Sequence, residues 1–140
     1  ADRIRQENKD HPEFIPAYTN EHGKMYSEEV ISGIRKAVEY INENLLSGFN
    51  QEDVAKAANM SRGYFSICFK DIAGKTFGDY VRGLKIQKAE ELLKTTNKPI
   101  YWIADHLGFQ DDKYFSRIFR EQVGCTPSEY REQKRRTPAL

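Results

Sequence analysis

An all-α fold is predicted for this chain, and three observations carry the prediction. The first is a stretch near the C-terminus, Asp111 to Gly124 (DDKYFSRIFREQVG), with IADHLGF over Ile103 to Phe109 in front of it. It reads as a short helix, a tight turn at Gly108 and a second helix. Phe115 and Phe119 stand four apart and share one side of that second helix, while Asp112, Lys113, Ser116, Arg117 and Arg120 fall on the other. The second observation is that this segment occurs twice. In Met60 to Tyr80, the residues Tyr64, Phe65, Ser66, Phe69, Gly74, Thr76 and Tyr80 recur 50 positions later as Tyr114, Phe115, Ser116, Phe119, Gly124, Thr126 and Tyr130. The preceding helices match at an offset of 49, Val54-Ala55 with Ile103-Ala104 and Asn59-Met60 with Gly108-Phe109. The one-residue slip falls in the turn, where a length change is tolerated, and the pattern is that of a duplicated subdomain. The third observation is an apolar stripe ahead of the first copy, in which Val30, Ile34, Val38, Ile41 and Leu45 recur at helical spacing. Together these give two helix-turn-helix subdomains joined by a long linker helix.

Residues 1–26 are polar, include Pro12 and Pro16 and show no sustained period. They read as a linker, a loosely packed arm or the trailing edge of an upstream domain. The chain begins at Ala1 and not at Met, which suggests a fragment of a longer protein or a processed one. Ser27 opens a helix, with Glu28 and Glu29 in the first turn where carboxylates favour the dipole; Gly48 is expected to end it. Asn50 can cap a short helix from Gln51 to Ala58, with Asp53 three residues on in a capping-box arrangement. Ala55 and Ala58 are small, as a close helix crossing requires. Asn59 and Gly108 hold equivalent places in the two turns, and Asn and Gly are the residues that enter the left-handed region at least cost.

Ser61 caps the first outward-facing helix, about Arg62 to Ala73, with Phe65 and Phe69 inward and Arg62, Gly63, Ser66, Ile67 and Lys70 outward. A long helix follows from about Thr76 to Thr95, with Val81, Leu84, Ala89, Leu92 and Leu93 expected to be buried. Arg82, Lys85 and Lys88 give it a basic side, expected to be solvated. Asn97-Lys98-Pro99 breaks the chain, and Pro99 suits the first turn of the next helix, where Ile100, Ile103, Ala104 and Leu107 repeat the short support helix. Tyr101 and Trp102 are expected to pack in the core or over the linker helix. Thr126-Pro127 starts a final helix with Glu129 completing its cap. Tyr130 should pack back on the second copy, and Lys134, Arg135 and Arg136 form a basic cluster expected to be frayed and solvated. The expected division is an arm over 1–26 and a domain over 27–140. Within the latter lie a first subdomain of about 27–75, the linker helix of about 76–95 and a second subdomain of about 96–136.

The formal net charge is only +1, but residues 1–60 carry 7 basic and 11 acidic side chains and residues 61–140 carry 15 and 10. The positive excess lies with the outward-facing helices, as an electrostatic footprint for a polyanion should. No apolar run approaches the ~18–20 residues that span a bilayer and no secretory segment opens the chain, so a soluble, cytoplasmic protein is expected. Cys68 and Cys125 lack the spacing of a zinc site, and a disulfide is not expected in a reducing compartment. Cys68 reads as an apolar filler beside Phe69; Cys125, in a turn, reads as accessible. His11, His22 and His106 have no nucleophile at a motif spacing, and the chain has neither a phosphate loop nor a Gly-rich nucleotide turn. No enzymatic activity, metal or cofactor is expected.

The two units, joined by YVRGLKIQKAEELL and closed by GCTPSEYR, resemble the DNA-binding domain of AraC/XylS-type bacterial transcription regulators. IADHLGFQDDKYFSRIFRE and GCTPSEYR are similar to the family's C-terminal signature, and the resemblance runs roughly from Ser27 to Arg136. It implies a sequence-specific DNA-binding regulator with one recognition helix of each subdomain in adjacent major-groove turns. The family's base-contacting positions are occupied here by Gly63, Ser66 and Ile67 in the first copy and by Asp112, Lys113, Ser116 and Arg117 in the second. Gly63 and Ile67 depart from the family's usual long polar side chains. Arg62 and Lys70 as phosphate anchors, with Tyr64 and Arg120 beside them, complete the candidate DNA-binding set. The implied partners are double-stranded DNA, over an asymmetric site of about 20 base pairs, and RNA polymerase. Family members usually carry a sensing domain or a phosphoacceptor receiver upstream. The chain is therefore expected to be the output domain of a larger signal-responsive regulator, such as a two-component response regulator or activator, with any dimerisation through that upstream domain. A competing reading is a helical protein-interaction module. Salt separates the two, because groove binding weakens steeply with ionic strength and hydrophobic docking does not.

Overall fold

The computed structural model describes residues 26–136, which form seven helices and, among the described residues, no strand. These are α1 (Glu28–Glu43), α2 (Gln51–Ala57), α3 (Arg62–Ala73), α4 (Phe77–Thr95), α5 (Ile100–His106), α6 (Asp112–Val123) and α7 (Pro127–Arg136). They gather into two compact units that divide within α4, between Tyr80 and Val81. The expected arm over 1–26 lies outside the described residues apart from Tyr26.

In the first unit the Ser27 hydroxyl caps α1 by accepting from the Val30 N–H. The buried face is Ile31, Ile34, Ala37, Val38 and Ile41, while Val30 and Leu45 are only half-buried. The apolar stripe is thus rotated from the expected one, with Ile31 taking the place of Val30. The helix also ends earlier than expected, at Glu43 and not at Gly48. Asn44 closes it: its backbone N–H and its side-chain amide both donate to the Tyr40 carbonyl, at 3.0 and 2.9 Å, and an Asn so engaged competes with helix continuation. Gly48, at φ +83°, shapes the turn that follows. Asn50 and Asp53 form the reciprocal capping box on α2, at 2.8 and 3.2 Å, and Ala58 caps that helix at its other end.

The crossing of α1 over the end of α2 is close because residue 33 is glycine. A Cβ at Gly33 would stand 2.8 Å from the Ala58 carbonyl oxygen and 3.1 Å from the Met60 methyl. Gly33→Ala is therefore expected to force the turn backbone aside and to cost ~1–3 kcal/mol. Chemical denaturation checks this: the midpoint should fall with an unchanged slope, and an unaltered midpoint would show that the turn yields freely.

Tyr26, the described residue of the stretch 1–26, is packed and not loose. Its ring is buried in the first unit and its hydroxyl hydrogen-bonds the Asp71 carboxylate on α3. Burial and the Asp71 bond together push the Tyr26 hydroxyl well above the ordinary tyrosine range. Phe49 and Phe77 complete an aromatic cluster with Phe65 and Phe69, in which Phe77 stands 5.9 and 6.1 Å from the latter two rings and 6.2 Å from Phe49.

In the second unit the fully buried residues of α4 are Ile86, Ala89 and Leu93; Val81, Leu84 and Leu92 are half-buried, against expectation. Ile86, Ala89 and Leu93 repeat Ile34, Ala37 and Ile41 of α1 at an offset of 52, so the duplication extends to the helix ahead of each support helix. Lys85 stands where α1 has Gly33. Its ammonium lies 3.4 Å from the point a Cβ on Gly108 would occupy and 5.8 Å from the centre of the Phe109 ring, and burial pushes its pKa down. Arg82, Lys85 and Lys88, expected to be solvated, are half-buried, and Lys85 lays its stem along the turn.

α7 holds the end of α4. Arg131 donates to the Leu93 and Thr96 carbonyls, both at 3.2 Å, and Arg135 donates to the Thr96 carbonyl at 2.9 Å and the Asn97 side chain at 2.6 Å. Arg135 is thus engaged where a frayed, solvated end was expected; helix C-termini leave carbonyls that basic side chains satisfy. Tyr130 packs as expected, and its hydroxyl pKa is raised mainly by burial, with a hydrogen bond to Glu90 adding to it. Pro99 lies just outside α5 as its N-cap residue, at φ −61° and ψ 154°, and not within the first turn. Tyr101 is 66% exposed, contrary to core packing, while Trp102 is half-buried and stacked on His106 at 4.6 Å with Lys98 4.8 Å over its ring.

Candidate nucleic-acid interface

Two turns and two helices build the site, each unit by itself repeating the other's geometry. Asn59 at φ +60° and Gly108 at φ +79° turn the chain after α2 and α5. The Met60 N–H then donates to the Ala55 carbonyl and the Phe109 N–H to the Ala104 carbonyl, both at 2.9 Å. The same left-handed conformation closed by the same hydrogen bond recurs in both turns, with one more residue between Phe109 and the cap Asp111 than between Met60 and the cap Ser61.

α3 and α6 are each 12 residues long. Ser61 and Asp111 cap them by accepting from the Tyr64 and Tyr114 N–H groups at 3.3 and 2.7 Å. Gly74 at φ +81° and Gly124 at φ +98° end them, each donating to a carbonyl one turn back at 2.9 Å. Beneath lie Phe65 and Phe69 in one unit and Phe115 and Phe119 in the other, all with no exposed surface. Phe69 meets Tyr80 at 5.4 Å and Phe119 meets Tyr130 at 5.5 Å, both edge to face. Tyr80 is carried by a helix whose start Thr76 caps by accepting from the Asp79 N–H at 3.1 Å. Tyr130 has the full reciprocal version: the Thr126 N–H donates to Glu129 at 2.9 Å and the Glu129 N–H to Thr126 at 3.1 Å. The Thr126 bonds hold the Glu129 carboxyl below the usual range. Two rings locked on the inner face fix each helix's rotation about its own axis, and so fix what faces outward.

On α3 the outward residues Arg62, Gly63, Tyr64, Ser66, Ile67 and Lys70 are all exposed, with Tyr64 at 47% and Ile67 at 58%. A Cβ at Gly63 would meet nothing within 4 Å, so packing does not require glycine there. On α6 Asp112, Lys113, Arg117 and Arg120 are exposed, while Ser116 is half-buried at the wall of a shallow recess that also includes Glu121 and Thr126. Arg117 lies 5.3 Å over the Tyr114 ring, which orders the guanidinium before any partner arrives. The equivalent pair on α3 is Tyr64 with Ile67, which has no cation to place. Arg62 faces Glu52 of α2 at 3.9 Å; Glu52 was absent from the expected set because its partner lies on another helix.

Among the described residues there is no grouping of three or more His, Cys, Asp or Glu that could hold a metal, and no helix long and apolar enough to cross a membrane. His11 and His22 lie outside the described residues. Cys68 is buried and Cys125 half-buried.

Comparison with known proteins follows the same lines. The family described as a helix-turn-helix domain matches residues 54–133. The regulatory protein SoxS of Escherichia coli strain K12 is 36% identical over 100 residues, which make up 71% of this chain and 94% of SoxS. A transcriptional regulator of the AraC-type DNA-binding class from Chromobacterium violaceum has a similar structure, with a TM-score of 0.70 at 27% identity over 76% of this chain and 96% of that one. The DNA-binding domain of AdpA, a global transcriptional factor solved in complex with a target DNA, gives a TM-score of 0.69 at 27% identity over 74% and 93%.

Proposed function

The chain belongs to the AraC/XylS-type family of helix-turn-helix transcription regulators, and we propose that it regulates transcription by reading double-stranded DNA with the outward faces of α3 and α6. The family is one of regulators and not a class of enzymes. The observation that carries the reading is the duplicated site itself: two helices of equal length, capped alike and rotationally locked by paired Phe rings, with exposed Arg, Lys and Ser on the face away from the core. That face is turned away from the packed interior of its own unit, and a helix of this kind suits a major groove.

In the proposed mechanism phosphate contacts position the domain and side chains on base edges specify the sequence. On α3, Arg62 and Lys70 anchor phosphates, Tyr64 flanks them, Ser66 offers a hydroxyl, Gly63 lets the backbone approach, and Ile67 meets a thymine methyl. On α6, Arg117 bonds both acceptors of a guanine edge, Asp112 accepts from a cytosine amino group, and Lys113, Ser116 and Arg120 complete the contacts. We place the first subdomain at about 27–75, the linker helix at about 76–95 and the second subdomain at about 96–136, with residues 1–26 as the arm. The fuller reading is a cytoplasmic output domain that acts on RNA polymerase under an upstream sensing or receiver domain, as an activator or two-component response regulator. Its support is family membership.

One chain is expected to protect an asymmetric site on the order of 20 base pairs, one recognition helix to each of two successive major grooves. Hydroxyl-radical footprinting checks this. A single contact of about 6 base pairs, or an obligatory palindrome, would sink the two-helix reading. Affinity should also fall steeply with salt, as the protein-docking alternative would not.

A further inference from the structure

We propose that Glu52 sets the affinity of α3 for DNA, because its carboxylate holds Arg62 in the free protein and a phosphate must displace it before the guanidinium can anchor. The inference rests on the reading of α3 as a DNA-contacting helix. Arg62 is the first residue of α3, and its Nη1 lies 3.9 Å from the Glu52 Oε1, with the two side chains 65% and 66% exposed. Glu52 stands in the first turn of α2 beside Asp53, whose carboxylate is already engaged in the cap with Asn50. Glu52 is thus the acidic group of that turn directed at the recognition helix. The duplicate has no such pairing: at the offsets of 49 and 50 the places of Glu52 and Arg62 are taken by Tyr101 and Asp112. The carboxylate–guanidinium contact is a property of the first unit alone, on the helix with the weaker set of hydrogen-bonding groups for base edges.

A phosphate brought to Arg62 meets the Glu52 charge at the same few ångströms, so binding either breaks the ion pair or suffers its repulsion. Both penalties are independent of base sequence and both are screened by salt. Glu52 therefore lowers occupancy of every duplex alike and leaves sequence preference untouched. Being exposed and outside the capping box, it can be altered without loss of a core or cap contact.

The test is a double-mutant cycle in the full chain, with wild type, Glu52→Gln, Arg62→Ala and the double variant titrated against a duplex of random sequence at about 50 and 200 mM salt. Glu52→Gln is expected to tighten binding about two- to fivefold at the lower salt, the span an exposed ion pair supports. The gain should shrink at the higher salt and disappear in the Arg62→Ala background. If Glu52→Gln tightens binding equally with and without Arg62, a bare charge effect replaces the pairing and the proposal is overturned. It is overturned as well if Glu52→Gln changes nothing while Arg62→Ala still weakens binding. If Arg62→Ala itself leaves affinity unchanged, the reading of α3 as a DNA contact fails and takes this inference with it. Equal thermal melting of the variants confirms that folding is not what is measured.

Discussion

Phe119→Ala is expected to destabilise the second unit by ~3–5 kcal/mol, and Phe69→Ala to do the same to the first. Neither ring has exposed surface, and each is bracketed on its inner face by a Phe one turn earlier and by a Tyr carried on the following helix. Truncation leaves a ring-sized void in units too small to collapse around it, and it removes the edge-to-face partner of Tyr80 or Tyr130. For a unit of about 60 residues a loss of this size lowers the melting temperature by roughly 10 °C or more. Circular dichroism melting reads it out, with DNA affinity falling only as a consequence. Should Phe119→Ala keep its melting temperature and lose binding, the inner and outer faces of α6 have been exchanged.

The second large effect lies on the outer face. Arg117→Ala is expected to cost ~1–3 kcal/mol in binding its preferred site and to relax the preference at one base pair. The Tyr114 ring under the guanidinium is the reason to expect the upper part of that range, since an ordered fork gives up less freedom on binding. Arg62→Ala should behave differently, weakening all sequences alike and flattening the salt dependence by about one unit. Selection on a randomised operator library separates the two. If Arg62→Ala changes the preferred sequence and Arg117→Ala does not, the division between anchoring and readout runs the other way.

Much of this was legible in the sequence, and the legible parts share a physical character: they are local. Ser27, Asn50, Ser61 and Thr126 announce helix starts because a cap acts across three residues; the Asp111 cap on α6 went unread. Asn59 and Gly108 announce turns because a positive φ is a demand on a single residue. The inward Phe pairs follow from four-residue spacing. The early end of α1 at Asn44 was a local signal overlooked, but much else that failed depends on partners far along the chain. The Tyr26 anchor has its acceptor 45 positions away, and Arg131 and Arg135 reach carbonyls 35 to 39 positions back. Burial of Lys85 and the tight seat of Gly33 are contacts with turns that were legible in themselves but lie far along the chain from these two residues. Ile86 was within reach, since GIRKA (33–37) and KIQKA (85–89) align, but only at an offset of 52, distinct from the 49 and 50 of the later elements. At the site the spacing rules placed every outward residue but overstated the exposure of Ser116, and they had no means of finding Glu52.

The clasp of Arg131 and Arg135 on the end of α4 also orders events during synthesis. A chain is made from its N-terminus, and the aromatic cluster of the first unit is complete once Phe77 and Tyr80 have emerged. The second unit has no such early closure: the carbonyls of Leu93 and Thr96 wait for side chains near the end of the last described helix. While the ribosome is still adding those residues, one half of the protein can already be packed and the other is still without its clasp.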